Sequence, residues 1–101
     1  MSVINVTEQN FNEIINTDKP VLLDFYADWC GPCQMIGPFV KEISEENDGI
    51  TVGKINVDNE PILAQKFGVM SIPMLVVIKN GEIANQAVGF RNKDEILALL
   101  K

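Results

Sequence analysis

The segment Val21-Leu22-Leu23-Asp24-Phe25-Tyr26-Ala27 is apolar or aromatic at every position but Asp24. A strand sends successive side chains to opposite faces, so a strand with one wet face alternates apolar with polar, and a near-continuous apolar run needs cover on both faces. This run therefore predicts a central strand inside a layered α/β domain. A chain of 101 residues with 47% hydrophobic composition is long enough to form that core as a single domain spanning 1–101, without disulfide staples or a structural metal.

The flanking patterns supply the other layers. Val3 to Val6 is a short β-type run, and Thr7 is expected to cap a helix with Glu8 in its first turn and Phe11, Ile14 and Ile15 on one face. Beyond the central strand, Ile36, Phe39, Val40 and Ile43 recur at helical spacing until Asn47-Asp48-Gly49, with Pro38 predicting a kink. Ile50 to Val57 reads as a strand. Asn59, Glu60 and Pro61 open a helix that buries Leu63, Ala64 and Phe67 and stops at Gly68. Met74 to Lys79 and Glu82 to Val88 are strands joined by Asn80-Gly81, a strong hairpin-turn signal. A last helix from about Asn92 turns Ile96, Leu97, Leu99 and Leu100 inward. The expected architecture is a central mixed five-stranded sheet flanked by four helices, parallel at first and closed by a hairpin.

Eight basic and fourteen acidic residues leave a net charge of −6, which opposes nucleic-acid and anionic-membrane partners and favours a soluble monomer. No basic region followed by an apolar run opens the sequence, and no stretch approaches the ~20 apolar residues of a membrane span. A cytoplasmic location is expected.

Both cysteines, Cys30 and Cys33, fall within one four-residue segment, Cys30-Gly31-Pro32-Cys33, where a secreted disulfide framework would scatter them. The segment follows the buried strand and opens a helix. Unpaired backbone N–H groups and the positive end of the helix dipole favour a thiolate there, making Cys30 the candidate nucleophile. Residues three apart on a helix are close enough for a small adjustment to close a disulfide. Gly31 allows a tight turn and close approach of a substrate backbone, and Pro32 restrains the first helical turn. Three other uses compete. A zinc site needs about four ligands, and the chain has no histidine and no third cysteine. A static disulfide would close too small a ring to restrain the unfolded chain much. Inert buried thiols would give the flanking Trp29 and Gly31-Pro32 no purpose.

The stretch Asp24 to Cys33, followed by Ile72-Pro73 and Asn80-Gly81, resembles the thioredoxin family over essentially the whole chain. The resemblance implies the thioredoxin fold, reduction of disulfide-containing protein substrates, no bound cofactor beyond the redox-active Cys30–Cys33 pair, and regeneration by thioredoxin reductase, usually a flavoprotein that draws electrons from NADPH. It also implies that Asp24 exchanges a proton with the buried cysteine, that Ile72-Pro73 is cis and faces the cysteines, that the Ile72 backbone pairs with an extended substrate segment, and that Gly89 belongs to the apolar contact surface. Gly-Pro between the cysteines is typical of the family's reductants.

Cys30 is expected to attack a substrate disulfide and Cys33 to resolve the mixed disulfide, so Cys33 needs a proton acceptor. Burial of Asp24 would raise its pKa into a useful range, although a water-lined carboxylate without that role fits the same pattern. Lys54 is placed to pair with Asp24 or to stand as an ordinary strand lysine. Trp29 offers either an apolar substrate contact or core. By base rates alone Ile72-Pro73 would be trans, and Gly89 would be a plain turn. Met74 follows Pro73 where the family most often has threonine, and puts a soft side chain next to the expected groove. Tyr26 replaces a tryptophan common in bacterial members. From the binding class, a partner subunit using the same surface without turnover is the alternative function.

Overall fold

In the computed structural model, which describes residues 2–101, side-chain alternation along the central strand assigns its neighbours to two layers. Strand β2 (Val21–Tyr26) points Val21, Leu23 and Phe25 into one cluster and Leu22 into another. The first cluster joins Phe11 and Ile14 of α1 (Phe11–Ile15) to Leu63 of α3 (Pro61–Lys66). The second joins Ile36, Val40 and Ile43 of α2 (Gly31–Glu46) to Ile96 of α4 (Lys93–Leu99). Both faces of β2 are thus covered, as its composition requires.

Among the described residues the sheet has five strands in the order β1-β3-β2-β4-β5, with β1 (Ile4–Asn5), β3 (Thr51–Asn56), β4 (Met74–Lys79) and β5 (Glu82–Val88) around β2. β1, β3 and β2 run parallel, whereas β4 is antiparallel to β2 and β5 to β4. The β4–β5 hairpin turns through Asn80 and Gly81, both with positive φ, the backbone that the Asn-Gly pair favours. Among the described residues, four helices complete the two layers.

Two local expectations change. Thr7 does not cap α1: the helix starts at Phe11 with Asn10 in the cap position, and the Thr7 N–H donates to Asn10 Oδ1 at 2.8 Å. That bond, with Asn10 Nδ2 donating to the Asn5 carbonyl at 3.0 Å, spends residues 7–10 on a turn and delays the helix to Phe11. β1 correspondingly shrinks to two residues. At α3 the expected Asn59-Glu60-Pro61 start is present, with Glu60 in the cap position and Pro61 in the first turn. Pro38 lies inside the single helix α2. At α4, Asn92 and Glu95 form a reciprocal capping box, each side chain accepting from the other's backbone N–H.

Candidate active site

The end of β2 delivers the chain into the disulfide. Ala27 is buried, the Cys30 N–H donates to its carbonyl at 3.2 Å, and the chain turns into α2 with Cys30 as the N-cap. Cys30 Sγ accepts from the Cys33 N–H at 3.2 Å, so the sulfur sits where the helix leaves its first amides unpaired. Cys30 and Cys33 form a disulfide with a Cα–Cα distance of 5.3 Å. Both are buried, while Gly31 and Pro32 between them are exposed.

Asp24 shares the α2 face of β2 with Leu22, since positions two apart point the same way. It is 5% exposed and its Oδ1 is buried without a hydrogen-bond partner. Burial therefore raises its pKa to about 7, against a smaller downward pull from the Lys54 ammonium. Lys54 is the register partner of Asp24 on β3 and is itself exposed. A cleft of about 590 Å³ is lined by Asp24, Cys33, Tyr26, Pro38, Lys41 and Lys54 among others. The carboxyl and the second cysteine thus face one space.

On the opposite side of the disulfide, the Ile72–Pro73 bond is cis, and Ile72 packs against Ala27, Cys30 and Cys33. The Gly89 N–H donates to the Pro73 carbonyl at 2.8 Å, with Gly89 at φ +94°, a backbone that suits glycine. The end of β5 is in this way tied to the proline segment. Trp29 is 71% exposed, which settles the choice between core and surface, and its Nε1 donates to Asp58 Oδ2 at 2.8 Å.

Met74 corrects an expectation. Its side chain is buried in the cluster with Phe25 and Leu63, because it points to the α1–α3 face, so it does not line the groove. The exposed methionine on this side is Met70, which with Trp29, Val57, Ser71 and Ile72 lines a shallow depression of about 210 Å³. Asp58 is the contact that the sequence reading missed. It lies 29 residues from Trp29, and no local pattern links the two; only the parallel β2–β3 pairing brings their loops together. Among the described residues no cluster of three or more His, Cys, Asp or Glu side chains is placed to hold a metal, and no helix is long and apolar enough to cross a membrane.

A disulfide that opens a helix on a mixed sheet, beside a cis-proline segment and above a buried carboxyl, defines a thiol–disulfide oxidoreductase. The family model described as Thioredoxin matches residues 2–101. The thioredoxin of Alicyclobacillus acidocaldarius subsp. acidocaldarius is 43% identical over 100 residues, covering 98% of this chain and 95% of the relative. That of Pyropia yezoensis is 45% identical over 102 residues, covering 99% and 95%. Among solved structures, a mutant thioredoxin from Halobacterium salinarum NRC-1 superposes with a TM-score of 0.87 at 36% identity, over 99% of this chain and 92% of that one. The chain belongs to the thioredoxin family and has its fold. Its activity is the reduction of protein disulfides through a redox-active cysteine pair.

Proposed function

We propose that the protein, as a single domain of residues 1–101 acting as a cytoplasmic monomer, reduces substrate disulfides in two exchanges with Cys30 as nucleophile and Cys33 as resolving thiol. In the first exchange the Cys30 thiolate attacks one sulfur of the substrate, the substrate S–S bond breaks, and its other sulfur leaves as a thiolate. In the second, Cys33 gives its proton to Asp24 and attacks Cys30 Sγ, the mixed disulfide breaks, and the remaining substrate sulfur departs. Two electrons pass to the substrate and the chain ends as the Cys30–Cys33 disulfide. Thioredoxin reductase returns it to the dithiol with electrons from NADPH.

The observation that carries this reading is the shared cleft of Asp24 and Cys33. An acid whose pKa is raised to about 7 by burial can both accept and return a proton near neutral pH. Lys54 adjusts that acid, while Gly31 and Pro32 keep the loop short and the sulfurs approachable. The substrate chain lies against Trp29, Pro73 and Gly89, and pairs with the backbone of Ile72 as an added strand. With a bacterial thioredoxin reductase and NADPH, the protein is expected to reduce insulin disulfides, and Cys30→Ser to abolish the reaction. No turnover with any reductase, together with partner binding that ignores Cys30→Ser, would leave only the role of a partner subunit.

A further inference from the structure

Asp24 and Tyr26 are two apart on β2, so their side chains share the α2 face of the sheet, and both line the cleft that Cys33 enters. On β3, Lys54 is the register partner of Asp24 and Asn56 that of Tyr26. Lys54 is exposed and makes no ion pair among the described residues, where the ion pairs formed are those of Lys93 with Glu42 and Glu46. A four-carbon stem with nothing to hold its end would sample bulk solvent. The contact that does hold it is aromatic: Lys54 Nζ lies 5.8 Å from the centroid of the Tyr26 ring, inside the roughly 6 Å reach of a cation–π attraction.

We propose that Tyr26 is a positioning residue for Asp24: its ring keeps the Lys54 ammonium over the cleft, and through Lys54 it sets the pH range in which Asp24 exchanges its proton. The other groups facing the cleft do not replace this arrangement. Asp28 follows β2, and Cys33, Lys41 and Glu45 come from α2; Lys41 and Glu45 are opposite charges four apart on one helix and offset each other. From β4 the register partner of Asp24 is Leu75, which carries no charge. Among the described residues, Lys54 is the charge that acts on Asp24, lowering its pKa against the larger effect of burial. The ring face, and not the hydroxyl, does the holding, so phenylalanine should serve and an aliphatic side chain should not.

The functional consequence rests on the reading of Asp24 as proton acceptor for Cys33, but the test does not. It is a carbon-13 NMR titration of the Asp24 carboxyl in the oxidised protein, with and without Lys54→Met, in three backgrounds: unchanged, Tyr26→Phe and Tyr26→Leu. With Tyr26 or Tyr26→Phe, Lys54→Met is expected to move the midpoint up by about 0.5–1 pH unit, the effect of one unit charge several ångströms away through largely solvated surroundings. With Tyr26→Leu the same substitution should move it by less than half as much. Comparing pairs removes any change in the hydration of Asp24 caused by Tyr26→Leu itself, and Tyr26→Met supplies the ring-free arm if Tyr26→Leu does not fold. An equal effect of Lys54→Met with and without the ring, or none in any background, overturns the proposal. A Cys33 exchange rate that ignores Asp24→Asn would remove the proton-acceptor reading and leave this result standing.

Discussion

Removing the Asp24 carboxyl should stabilise the oxidised protein at high pH and not at low pH. The ordinary aspartate value is 3.8 and the folded one is about 7, raised by burial. Well below pH 3.8 both states hold the proton, and the group contributes little. As pH climbs from 3.8 towards about 7, the unfolded carboxyl ionises while the folded one stays neutral, so unfolding releases a proton and stability falls. Above the folded value the whole loss is present. A gap of about three pH units at about 1.4 kcal/mol each gives a loss of about 4 kcal/mol. Asp24→Asn and Asp24→Ala escape this loss. Each also carries a pH-independent term, an unpaired buried amide or a small cavity of order 1–3 kcal/mol. The quantity to read is therefore the change in relative stability between about pH 4 and about pH 8.5, from urea unfolding of the oxidised proteins, and it should approach 4 kcal/mol for both variants. A stability difference that stays level across that range would refute the assignment of Asp24 as a buried, proton-holding acid.

Three further outcomes follow from single contacts. Trp29→Phe deletes the bond to Asp58 at the surface, so it should lower unfolding free energy by no more than about 1–2 kcal/mol while raising KM for a protein disulfide, read in insulin reduction. Gly89→Ala places a Cβ on a backbone with φ +94° and should lose about 1–2 kcal/mol in denaturant unfolding. Asn92→Ala removes half of the α4 capping box and should lose about 1 kcal/mol in the same experiment, with no change in kcat.

The sequence discloses features whose physical cause is local or periodic. The apolar run around Asp24 requires two covering layers, and α1 with α3 and α2 with α4 supply them. The Cys30-Gly31-Pro32-Cys33 segment carries its own helix start, and Asn80-Gly81 its own turn. Side-chain competition at Thr7 and Asn10 is harder to read, because either residue can cap, and the outcome depends on Asn10 also reaching the Asn5 carbonyl. Met74 shows a second limit. Its neighbour in sequence is Pro73, which follows the Ile72 that packs against the cysteines, but strand alternation turns its side chain into the core. Contacts such as Trp29 with Asp58 and Tyr26 with Lys54 join different elements, so they exist only once β2 and β3 have paired in register.

The division of labour between the two sulfurs is tested most directly by trapping. Cys33→Ser, mixed in its reduced form with a disulfide substrate and examined by intact-mass and peptide mass spectrometry, should accumulate a mixed disulfide carried on Cys30, because the resolving thiol is gone. The partner variant Cys30→Ser should trap little. Efficient capture by Cys33 in Cys30→Ser, with none by Cys30 in Cys33→Ser, would contradict the assignment of Cys30 at the start of α2 as the attacking sulfur.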